Sequence, residues 1–109
     1  MSERASRRVR VLCPAHFRIE EAEPPSFATV VVVNERGLYL ATPNTLAPGS
    51  EIDLSISLPG ESSPFRSKAK VVDAFPTIPT GSGRVPGMGC AFLQPPMELV
   101  NAIHNLTQF

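Results

Sequence analysis

The fold this sequence predicts is a small, mainly β domain: a six-stranded antiparallel barrel or sandwich with one terminal helix. Three observations predict it. Six short segments either alternate apolar with polar residues or run as β-branched stretches. Pro, Gly, Asn and Ser separate these segments at near-regular intervals. Beyond Pro95-Pro96 the apolar spacing changes from that of a strand to that of a helix. A chain of 109 residues supports one domain with a single modest core, in which roughly 65% of the unfolded surface is buried.

The first strand is predicted over residues 9–19. Val9, Val11, Cys13, Ala15, Phe17 and Ile19 share one face, and Arg10, His16 and Arg18 lie on the other. Pro14, which has no N–H to give to a ladder, marks an edge or a bulge within it. After a break from Glu20 to Pro25, the run Phe27 to Val33 is β-branched without polar relief, which predicts a central strand covered on both faces. Asn34-Glu35-Arg36-Gly37 predicts a tight turn in which Gly37 supplies a positive φ, with Leu38 to Ala41 returning as the partner strand. Residues 43–49 form a loop. Ile52, Leu54, Ile56 and Leu58 then alternate with Asp53, Ser55 and Ser57, in the cleanest strand pattern of the chain, up to Pro59-Gly60.

The fifth strand runs from Arg66 to Phe75, and a mobile loop rich in Pro, Gly, Thr and Ser follows from Pro76 to Gly87. Met88 to Leu93 makes the last strand. Pro95 and Pro96 occupy the first turn of a helix whose Leu99, Val100, Ile103 and Leu106 share one face and pack across one end of the sheet structure. A closed barrel would leave no exposed strand edge, although periodicity by itself does not separate a barrel from a sandwich. The chain divides into an Arg-rich flexible segment over 1–8, the β structure over 9–94 and the helix over 95–109.

Charge and chemistry narrow the function. Ten basic and ten acidic residues cancel, yet Arg4, Arg7, Arg8 and Arg10 fall within the first ten positions. Such a concentration in a neutral chain is a local device for meeting an anion. Arginine suits that task because its fixed, planar guanidinium grips phosphate oxygens or the O6/N7 edge of guanine with two parallel hydrogen bonds. Catalysis is disfavoured: His16 and His104 are far apart, neither belongs to a nucleophile motif, and no phosphate-cradling Gly-rich loop precedes a helix. Cys13 and His16 point to opposite faces of an alternating strand and lack two further partners, so no metal site is expected. Cys13 and Cys90, outside any Cys-x-x-Cys spacing and without a signal peptide before them, read as buried thiols of a cytoplasmic protein. No apolar stretch is long enough for membrane insertion. Zero net charge and the lack of an exposed aromatic series on a strand argue against a small nucleic-acid-binding barrel.

The layout resembles the PilZ domain, the bacterial receptor module for cyclic di-GMP, over residues 4–109. Arg4-Ala-Ser-Arg-Arg8 matches the family's Arg-x-x-x-Arg lead-in. Val32-Val-Asn34-Glu-Arg-Gly37 aligns with its Asp/Asn-x-Ser-x-x-Gly turn, and Gly-Leu-Tyr-Leu-Ala-Thr, Pro48-Gly49, Leu-Pro-Gly and Gly87-Met-Gly-Cys-Ala-Phe92 look like its remaining landmarks. The resemblance implies a six-stranded antiparallel barrel with an appended helix and no catalytic or cofactor chemistry. It also implies cyclic di-GMP as candidate ligand, at a site formed by Arg4, Arg8 and the turn positions Val32, Asn34 and Gly37; Arg7 offers a phosphate contact that the motif does not require. Val32 stands where the family has Asp or Asn, and Asn34 where it has Ser. A valine offers nothing to a guanine edge, and leaving a buried polar group unsatisfied costs about 1–3 kcal/mol. Two readings therefore arise. One is a non-enzymatic receptor for cyclic di-GMP that acts through protein contacts; the other is an adaptor that has lost the nucleotide and works only by binding a bacterial protein partner in motility, pilus or regulatory control.

Overall fold

The computed structural model describes residues 8–20, 23–77, 81 and 85–106. Six strands, β1 (Val9–Arg18), β2 (Ser26–Val33), β3 (Gly37–Ala41), β4 (Glu51–Ile56), β5 (Phe65–Phe75) and β6 (Gly87–Leu93), are followed by helix α1 (Met97–Leu106). Each strand pairs antiparallel with its neighbours in the order β1-β2-β3-β6-β5-β4, and β4 returns to β1 to close the barrel. The fold class is thus the mainly β, six-stranded antiparallel barrel with one C-terminal helix that the resemblance implied.

Closure gives every strand an inner and an outer face, and this corrects three expectations. β2 is not covered on both sides: Val30 and Val33 are fully buried, whereas Phe27 is 73% exposed and Thr29 is also exposed. Ile19 is exposed just beyond the end of β1 and does not continue the inner face of Cys13, Ala15 and Phe17. Nor is Pro14 at an edge. It sits within a ladder, opposite Thr29, and the irregularity lies just before it, between Arg10 and Cys13.

Phe17, Val30, Leu40, Ile52, Leu54, Ile56 and Met88 fill the barrel from five strands. Leu99, Ala102 and Ile103 of α1 join the same cluster. Fully burying a Leu or Ile contributes about 1.5–3 kcal/mol, which anchors a ten-residue helix that is too short to persist alone. The prolines stand just outside α1: Pro96 accepts the first helical bonds, from Leu99 N at 3.0 Å and Val100 N at 3.2 Å. Cys13 and Cys90 are free, buried thiols, as the cysteine spacing suggested.

Candidate ligand-binding site

Three ladders are irregular, and all three irregularities meet on one wall. Register shifts fall between Arg10 and Cys13 in β1, between Val30 and Val32 in β2, and between Val71 and Asp73 in β5. An extra residue in one strand of a pair interrupts alternation, so consecutive side chains can face the same way. In β2 the sequence runs in, out, out, in: Val30 and Val33 are buried, while Val31 and Val32 both line a surface concavity. In β5, Val71 is buried and Val72 and Asp73 are both exposed on that same concavity. Leu12, in the β1 irregularity, has φ 50° and is 66% exposed. A left-handed backbone costs a residue with a Cβ about 1–2 kcal/mol.

The register traces a single row across five strands. Arg10 pairs with Val32, Val32 with Tyr39, Tyr39 with Gly89, and Gly89 with Asp73. Four interstrand steps of about 4.8 Å give a span of about 19 Å. All five residues line the concavity, which has a volume of about 930 Å3. The neighbouring row is apolar throughout: Val33, Leu38, Cys90 and Val71 turn inward, and Val9 at its β1 end is half-buried. Cys90 in that inner row has its thiol pushed up to about 11 by burial, and burial raises Cys13 as well.

The β2–β3 turn forms the rim. Asn34 N donates to Gly37 O at 2.9 Å, and the Asn34 Oδ1 accepts from Arg36 N at 2.9 Å and Gly37 N at 3.0 Å. This Asx-type geometry turns Arg36 outward onto the concavity and commits the Asn34 oxygen to the turn itself. Two further contacts tether the turn. Phe92 N donates to Arg36 O at 2.8 Å, and Glu35 lies 3.9 Å from His104 of α1. Gly37 is required for a reason other than the one expected. Its φ is not positive; instead, a Cβ there would overlap the Cys90 carbonyl oxygen where β3 and β6 approach. Gly89 differs, since a Cβ there would meet nothing within 4 Å.

Of the residues singled out in the sequence, Arg8, Val32, Asn34 and Gly37 come together on this wall. Arg4 and Arg7 lie outside the described residues, as do parts of the loop expected to be mobile between β5 and β6. Sequence reasoning did not select Arg36, Tyr39, Gly89 or Asp73, and it placed Arg10 on the outer face without assigning it to the site. Tyr39 had a signal in its alternation with Leu38 and Leu40. Asp73 had none, because strict alternation from the buried Val71 would have pointed it into the core. The Tyr39 hydroxyl donates to the Val85 carbonyl at 2.7 Å, and its ring lies 6.4 Å from that of Phe75.

The wall therefore carries Arg8 and Arg10 at its β1 end, Arg36 on the rim at the β2–β3 turn, and aliphatic and aromatic groups across its middle. The profile of the PilZ domain family matches residues 2–109, nearly the whole chain. The chain belongs to the PilZ domain family. No curated protein matches it beyond that. In this PilZ domain the turn motif and the last residue before β1 face one concavity. Among the described residues no group of His, Cys, Asp and Glu is placed to hold a metal, and no helix is long and apolar enough to cross a membrane.

Proposed function

We propose that this PilZ domain is a non-enzymatic, cytoplasmic signalling module whose bulged wall binds cyclic di-GMP, the bound form being read by a protein partner. The observation that carries the reading is the gathering of Arg8, Arg10 and Arg36 beside the Asn34–Gly37 turn on one concave surface. A hydrogen bond to a charged group contributes about 1.5–3 kcal/mol, so three guanidiniums compensate in part for the polar group that position 32 lacks. Arg4, first of the Arg-x-x-x-Arg pair, completes a clamp with Arg8 over the ligand, and Arg7 adds a phosphate contact. Ligand binding changes the surface that the wall presents, and the difference in affinity between the two states is what a partner senses.

Isothermal titration with cyclic di-GMP at low ionic strength tests this reading. Saturable micromolar binding is expected, weakening as salt screens the phosphate contacts and falling further in Arg8→Ala. Absence of binding by the natural chain, with binding restored in Val32→Asp, would identify it as the adaptor. That second reading has its own support: Leu12, Val72 and Val85 place exposed aliphatic groups on the same wall, a surface suited to protein contact.

A further inference from the structure

The row across the wall is polar at both ends but with opposite sign: Arg10 opens it and Asp73 closes it. Asp73 is the only carboxylate among the described residues that line the concavity. It is exposed, and among the described residues it has neither an ion pair nor a side-chain hydrogen bond. An acid in a site for a doubly anionic ligand repels that ligand unless it meets hydrogen-bond donors. A guanine base supplies two adjacent ones, N1–H and the N2 amino group, which match the two oxygens of a carboxylate. Adenine does not, because its N1 presents a lone pair at the corresponding place.

We propose that Asp73 is a specificity-determining residue that reads the N1/N2 edge of one guanine of the ligand, at the opposite end of the row from Arg10. The inference rests on the cyclic di-GMP reading above. Three features of the wall favour it. The β5 bulge turns Asp73 outward, whereas unbroken alternation would bury it. Gly89, beside Asp73 in the row, leaves the floor open, so a planar base can lie between Tyr39 and the carboxylate. Phe75, two residues further along β5 and partly exposed, lines the same concavity and offers a ring face to the base. A ligand with two guanines suits a row about 19 Å long, with Arg10 taking the O6/N7 edge of one base and Asp73 the N1/N2 edge of the other.

The test is a titration of the full chain and of Asp73→Asn with cyclic di-GMP, cyclic di-AMP and cyclic di-inosine monophosphate. The last of these lacks the N2 amino group. In the natural chain cyclic di-GMP should bind tightest. Asp73→Asn should weaken it by about 5- to 150-fold, weaken cyclic di-inosine monophosphate, which keeps the N1–H donor, by less, leave cyclic di-AMP unchanged or tighter, and so narrow the selectivity. Because Asp73 is exposed, thermal unfolding of the variant should match that of the natural chain. Gly89→Val, which fills the floor without touching the carboxylate, should weaken all ligands that place a base there. Natural-chain binding that persists with its selectivity intact in Asp73→Asn would overturn the role of Asp73 and leave the receptor reading standing. Failure of the natural chain to bind any of the three would overturn both.

Discussion

Two concave walls of the barrel are of similar size and different construction. The opposite wall, about 850 Å3, is built on β4, whose ladders with β1 and β5 run without a register shift. Its outer positions form regular cross-strand rows, Arg18–Asp53–Lys68 and His16–Ser55–Arg66. Its charges are partly used within the wall: Lys68 Nζ lies 3.1 Å from Asp53, and Arg18 donates to the Glu23 carbonyl at 3.3 Å. The bulged wall instead gives up regular pairing. Three shifts bring Val32, Leu12 and Asp73 outward beside three arginines. Volume and positive charge are common to both walls, and the irregular ladders are what set the proposed ligand site apart.

Two glycines of the bulged wall give the largest expected contrast. Gly37→Ala is expected to destabilise by about 3 kcal/mol or more, because the new methyl overlaps backbone and β3 must separate from β6. Gly89→Ala meets nothing and should stay within about 0.5 kcal/mol of the natural chain. Thermal unfolding checks both, at about 4–8 °C per kcal/mol for a domain of this size. Equal melting temperatures for the two variants would remove the distinction between close approach and open floor.

Ligand affinity compares the walls directly. Arg10→Ala should cost about 5- to 150-fold in cyclic di-GMP affinity, while Arg66→Ala on the regular wall should leave the isotherm unchanged. A larger loss from Arg66→Ala would move the site to the other wall.

The thiol behind the bulged wall provides a pH dependence. Burial raises Cys90 from 9.0 to about 11, so the folded state favours the neutral thiol. Its contribution is fully present below the unfolded thiol's pKa and is lost as pH rises through about 11. Urea midpoints across that range should fall less steeply in Cys90→Val than in the natural chain. Parallel slopes would mean that other groups govern alkaline unfolding.

The smallest effects separate backbone strain from ion pairing. Leu12→Asn relieves a left-handed leucine that is largely exposed, and it should raise stability by up to about 1 kcal/mol. Lys68→Ala removes a solvent-exposed ion pair on the regular wall and should change stability by about 0.5 kcal/mol or less. Denaturant melts of the two variants rank the strain in one wall against the ion pairing in the other.

Much of the barrel was legible because most of its strands obey a period of two. Ile52, Leu54 and Ile56 announced β4 by alternation and are all buried. Arg8, Val32, Asn34 and Gly37 could be grouped before the fold was known, through the Arg-x-x-x-Arg lead-in and the turn motif, and the β2–β3 hairpin and the start of β1 do carry them to one surface. The exposure of Phe27 and Thr29 was not legible, since a β-branched run reads the same whether one face or both are covered. Asp73 was hidden for a related reason. A bulge is a property of two paired strands, and a single strand's pattern does not contain it.

By itself, the sequence determined the strand and helix segments, the family and the cationic lead-in, because those depend on local period, turn chemistry and side-chain type. Only the tertiary structure decided that Gly37 answers to a neighbouring carbonyl instead of a positive φ, and that Arg10 and Asp73 stand at the two ends of one row. Which residues face each other across a closed barrel is set by register, and register follows from the pairing of strands distant in sequence.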